Sequence, residues 1–74
     1  MSRLPSLKPR EIVRALERAG FSVVRIRGSH YQMLKPETGK RVTVPFHGRD
    51  LSRGMLNAII HQAGLTVDEF GELL

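Results

Sequence analysis

Cysteine and tryptophan are absent from this chain, and its 74 residues hold only one tyrosine and three phenylalanines. Without cysteine there is no disulfide, no thiolate metal site and no cysteine nucleophile. That fits a reducing compartment, and a cytoplasmic protein is the expectation. So few aromatic rings argue against a surface that reads single-stranded bases by stacking. No apolar run approaches the roughly 20 residues of a membrane span, and Met1–Pro5 is too short for a signal peptide, so no membrane is expected as a partner. A chain of this length is expected to form one domain over residues 1–74, burying only about 60–65% of its unfolded surface. Most of its apolar residues are then already committed to the core.

Positive charge is missing from one end. All 12 Lys and Arg lie in residues 1–53 with four acids (Glu11, Glu17, Glu37, Asp50), a net of +8. Residues 54–74 carry no base and three acids (Asp68, Glu69, Glu72), a net of −3, which brings the whole to +5. The basic body favours a polyanion: nucleic acid first, an anionic membrane second, an acidic protein third. A membrane-surface helix would carry its bases opposite a wide apolar face. Here they are spread over several segments, which favours nucleic acid.

Pro9 suits the first turn of a helix, and Ile12, Val13, Leu16 and Ala19 recur at helical spacing behind it. Arg10, Arg14, Glu17 and Arg18 fall on the opposite face. Gly20 is the expected stop, so the spacing predicts a helix over about 8–19. Three strands follow at Phe21–Arg27, Ser29–Lys35 and Arg41–Val44, separated by Gly28 and by the turn Pro36-Glu37-Thr38-Gly39. Alternation puts Val24, Ile26, Tyr31, Met33, Val42 and Val44 on one face. It puts Arg25, Arg27, His30, Gln32, Arg41 and Thr43 on the other, so the histidine shares a polar face with three arginines. A second helix is expected from Leu51 or Ser52 to Gly64, with Leu51, Met55, Ala58, Ile59 and Ala63 facing inward. Thr66 and Glu69 form a capping box that opens a short last helix able to dock Val67, Phe70 and Leu73. The order α-β-β-β-α with a short C-terminal helix predicts an α+β fold, its three-stranded antiparallel sheet carrying the helices on one face.

Taken in order, Ala19-Gly20-Phe21, Arg25 to His30 with its Gly-Ser-His, the Pro36–Gly39 turn, Val42 to His47, the Gly54-headed helix and Ala63-Gly64-Leu65 resemble the HicA toxin family. One difference is Gly54-Met55-Leu56, where many members carry Gly-Thr-Leu. The resemblance implies a fold similar to double-stranded RNA-binding domains. It also implies an endoribonuclease that cleaves mRNA as the toxin of a toxin–antitoxin pair, silenced by a cognate HicB-like antitoxin. The family's catalytic histidine, in its Gly-Ser-His motif, falls on His30.

RNA is cleaved without a metal when a base takes the 2′-hydroxyl proton and cations offset the charge gathering on phosphorus. Histidine suits the proton work because its ordinary pKa, about 6.5, lies near working pH. His30 is the candidate general base or general acid, with Arg25, Arg27 and Arg41 binding and neutralising phosphates. Ser29 is a candidate donor to the phosphate, and Gly28 lets the backbone approach closely. His47 and Lys40 are candidates for a second proton carrier or a phosphate contact. The plainer readings are a structural hydrogen bond for His47 and a solvated face for His61 and for Arg10, Arg14 and Arg18. In a fold like a double-stranded RNA-binding domain, that arginine face can also meet RNA. No zinc-ligand spacing links the three histidines, so neither a metal nor another cofactor is expected. DNA is not expected as a partner of this chain alone. The rival reading is a non-catalytic RNA-binding module, or an adaptor for an acidic protein, using the same basic face. Such a face holds phosphates without naming bases.

Overall fold

The structure is a computed structural model describing residues 4–74; Met1–Arg3, the start of the segment judged too short for a signal peptide, lie outside it. Its elements are α1 (Pro9–Arg18), β1 (Ser22–Arg27), β2 (His30–Lys35), β3 (Lys40–Pro45), α2 (Arg53–Gln62) and α3 (Val67–Gly71). The expected α+β order is therefore found. Lys8 precedes α1, and its backbone N–H donates to Glu11 Oε1 at 2.9 Å. Both longer helices end alike. Phe21 N–H reaches back to the Leu16 carbonyl and Gly20 N–H to Glu17, just as Leu65 reaches Ile60 and Gly64 reaches His61. These paired bonds satisfy the carbonyls that a helix end leaves open.

The strands pair in the order β1-β2-β3, all antiparallel. Both α1 and α2 pack against β3, and Met33, Val42 and Val44 are buried beneath them with Ile12, Leu16, Ile59 and Phe70. β1 forms the far edge of the sheet.

The sheet corrects one expectation about its faces. Val23 pairs with Met33, but Arg25 pairs with Gln32, so Val24 is an extra residue in a β-bulge. The bulge moves the apolar face of β1 from Val24 and Ile26 to Val23 and Ile26. Val24 is left 51% exposed, and Ile26, at the uncovered end of the edge strand, 56% exposed. Strict alternation cannot anticipate this, because one inserted residue reverses the parity of everything before it.

A second correction concerns α2. Its buried face is Leu56, Ile59, Ile60 and Ala63, at i, i+3, i+4 and i+7, whereas Met55 is 42% exposed and Ala58 lies in solvent. Leu51, though buried, precedes the helix, because Ser52 is the N-cap and its Oγ accepts from Met55 N–H at 3.1 Å. Leu51 and Leu56, both buried, occupy the two positions of a hydrophobic staple. Counting helical periods from Leu51 therefore starts on the wrong turn. At α3 the capping box forms as expected, with Glu69 N–H to Thr66 Oγ1 at 3.1 Å and Thr66 N–H to Glu69 Oε1 at 2.8 Å. Phe70 is fully buried and Leu73 half-buried, but Val67, expected to dock, is 36% exposed.

Candidate functional site

β1 and β2 are joined by the two-residue turn Gly28-Ser29, and Arg27 and His30 form its closing pair. Gly28 has φ +58°, and among the described residues none other than glycine has a positive φ. A positive value at the first turn position followed by a negative one is the type II′ pattern. Its twist matches that of the strands it joins. The turn thus aims His30 by backbone geometry, at the very start of β2.

The pairing sorts the open face of the sheet, the one away from the helices, into three cross-strand rows. Arg27, His30 and Pro45 make the first, Arg25, Gln32 and Thr43 the second, and Ser22, Leu34 and Arg41 the third. His30 therefore has Arg27 directly beside it and Arg25 as a diagonal neighbour, about 7–8 Å away between Cα atoms. Arg25, Arg27, Ser29 and His30 are all exposed to solvent.

Two expected contributors stand elsewhere. Arg41 is on the open face, but its row is four residues along β2 from His30, about 13 Å away. Lys40 pairs with Lys35 beyond that row, and its side chain runs against Gly64 at the end of α2, on the helix-covered side. Neither is a neighbour of His30. His47, by contrast, is brought to the right end of the sheet. Phe46 N–H donates to the Ser29 carbonyl, joining the residue before His47 to the residue before His30. The Phe46 ring stacks on Tyr31, centroids 4.1 Å apart and planes 16° from parallel. His47 Nδ1 accepts a hydrogen bond from Arg49 N–H at 3.3 Å, the plainer role that its loop position suggested.

The arginines of α1 divide. Arg18 donates through Nη1 to the Leu73 carbonyl and so fastens the chain after α3. Arg10 stands near the His47 loop, lining a shared hollow with Lys8 and Phe46. The sequence gives no sign of that grouping, because Arg10 and His47 are far apart along the chain. His61 is exposed on α2. Among the described residues, no three His, Cys, Asp or Glu side chains come together as metal ligands would. No helix among them is long and apolar enough to cross a membrane.

The fold and site define a small α+β protein with a solvent-open basic sheet face and a histidine set by a tight hairpin. The profile of the family described as HicA toxin of bacterial toxin–antitoxin matches residues 9–65, a span running from the first residue of α1 to just past α2. The chain belongs to the HicA toxin family, which implies a cognate antitoxin as partner. No curated protein matches it at a significant level.

Proposed function

We propose that this toxin is an endoribonuclease that cleaves mRNA in the cytoplasm without a metal or other cofactor, its residues 1–74 acting as one domain. The observation that carries this reading is the Arg27–His30 pair closing the hairpin on the uncovered sheet face, with Arg25 one step away. His30 supplies the acid–base function. As base it takes the 2′-hydroxyl proton while that oxygen bonds to phosphorus, and as acid it protonates the 5′-oxygen as the P–O5′ bond breaks. Arg27 and Arg25 hold the phosphate and offset the charge of the phosphorane. Ser29 donates a hydrogen bond from the turn, and Gly28 removes the side chain that would hold the backbone off. Arg41 binds a phosphate further along the strand, and His47 binds one beside the active end. Lys40 is the weakest of the candidates, because its chain is engaged at Gly64. A positioned acid–base group contributes about 10²–10⁴-fold and preorganised donors a comparable factor, enough for a slow enzyme that arrests translation.

The antitoxin is proposed to be HicB-like. It covers this face with acidic or hydrogen-bonding groups over His30, Arg25 and Arg27, and a complex that leaves the face open would contradict that.

Induced expression of wild type and His30→Ala, following growth and intact mRNA, tests the proposal, together with RNA cleavage in EDTA by the purified proteins. Arrest and mRNA loss in the wild type alone, with cleavage surviving EDTA, is the expected result. Since His30 is exposed, its replacement leaves the fold within about 0.5 kcal/mol of the wild type. Equal behaviour of the two proteins would replace the nuclease by an RNA-binding module or an adaptor.

A further inference from the structure

Where the start of α1 meets the loop that leaves β3, an open hollow is lined by Lys8, Pro9, Arg10, Phe46, His47 and Gly48. The chemistry at His30 uses none of its α1 residues. Pro9 is buried and Phe46 half-buried, whereas Lys8, Arg10 and His47 are exposed around them. The histidine ring is fixed by the Arg49 N–H on its Nδ1, which leaves Nε2 as the ring's donor. Lys8 pairs with Asp50 at 3.7 Å, but about half of each side chain is in water, and an exposed pair of that kind is readily exchanged. Arg10 takes part in no ion pair among the described residues. The hollow thus gathers an ammonium, a guanidinium and an imidazole, with no carboxylate among its lining residues.

This hollow lies at the same end of the sheet as the candidate active end, lined by His47 but not by His30. The Phe46 N–H to Ser29 carbonyl bond continues the β2–β3 pairing by one residue. His30 and His47 therefore leave neighbouring strands at the same end of the sheet, strands about 4.8 Å apart. The stack of Phe46 on Tyr31 fixes the loop on that side.

We infer that the hollow is a second phosphate subsite, in which Lys8, Arg10 and His47 hold a backbone phosphate of RNA flanking the phosphate acted on at His30. The flanking position rests on the nuclease reading; the phosphate chemistry of the hollow does not. Three donors of different reach suit a tetrahedral oxyanion, and an exposed site formed by flexible cations binds it without regard to the base attached.

The test compares wild type with Lys8→Ala/Arg10→Ala on a 2′-O-methyl RNA oligonucleotide, which binds but has no free 2′-hydroxyl to attack, over a series of salt concentrations. Thermal melts confirm that both proteins are folded, and the single variants Lys8→Gln and Arg10→Gln replace the double one if it is not. The expected result is binding about five- to tenfold weaker at low salt. The slope of log affinity against log salt becomes shallower by about 0.7, the value for one phosphate contact on a single strand. In parallel, cleavage of a dinucleotide too short to reach the hollow is unchanged. Equal affinity and equal slope would overturn the subsite. A weakened slope in proteins that cleave no RNA at all would sustain the subsite and remove the nuclease reading instead.

Discussion

Lys40 lies across Gly64: a Cβ built on that glycine would come within 2.8 Å of the lysine Cε. Its cross-strand partner Lys35 stands in the same relation, at 3.3 Å, to Gly20 at the end of α1. The two lysines flank the hairpin turn between β2 and β3, and each places its chain over the negative end of a helix. Gly64 has φ +75°, so alanine there should cost about 1–2 kcal/mol, mostly from the backbone, since the lysine tip can move aside. Urea unfolding of Gly64→Ala checks this. Adding Lys40→Ala should restore little of the loss, and full recovery would mean that the side-chain contact, not φ, sets the cost.

The bulge makes neighbouring valines unequal. Val23 faces the core opposite Met33, while Val24 is the extra, exposed residue. Threonine keeps the branched shape and adds a hydroxyl. Val23→Thr should therefore destabilise by about 1 kcal/mol and Val24→Thr by less than about 0.5. Denaturant midpoints of the two variants decide it. The reverse order would restore the simple alternation that the register excludes.

Arg27 and Arg41 are both exposed arginines of the open face, but only Arg27 pairs with His30. On the proposed mechanism, Arg27→Ala should lower kcat about tenfold or more. Arg41→Ala should leave kcat alone and raise KM by about two- to threefold, as an exposed phosphate contact does. Steady-state cleavage of an oligonucleotide long enough to span both rows separates them. Equal losses in kcat would mean that the substrate bends back to Arg41.

Phe70 is the single fully buried residue of α3, while Val67 on the same helix is 36% exposed. Truncating a buried phenylalanine costs about 3–5 kcal/mol, most of the stability that a domain this small commands. Phe70→Ala should melt far below the wild type or be unfolded at 37 °C, while Val67→Ala should shift the midpoint by only a degree or two. Thermal unfolding followed by circular dichroism measures both.

The sequence makes the element order legible because each boundary has its own chemistry: Pro9 at a helix start, Gly20 and Gly64 at helix ends, Thr66 with Glu69 at a cap. The open face is legible as well, since the rows hold the residues that alternation assigns to it. The bulge at Val24 is not, because an inserted residue leaves no compositional mark in a run of Val and Ile. The phase of α2 is misread for a related reason: Leu51 is buried as a staple before the helix begins, so it looks like part of a stripe it does not join. For the candidate site, Arg27 beside His30 follows from the two-residue turn. The nearness of Lys8 and Arg10 to His47 is a tertiary fact, created by the Leu51 N–H to Leu7 carbonyl bond and the Lys8–Asp50 pair that tie the ends of two distant segments together.

All four aromatic rings lie away from the open face. Phe21 and Phe70 are in the core, and Tyr31 and Phe46 are spent on each other at the helix side of the sheet. On the proposed reading, what remains for RNA is a surface that grips phosphates and offers no Phe or Tyr ring for a base to lie on. Nothing among the described residues closes that face off from solvent, so the toxin carries no restraint of its own there. Restraint then has to come from outside, through the amount of antitoxin present. Losing that protein for even a short interval would leave the toxin free to act.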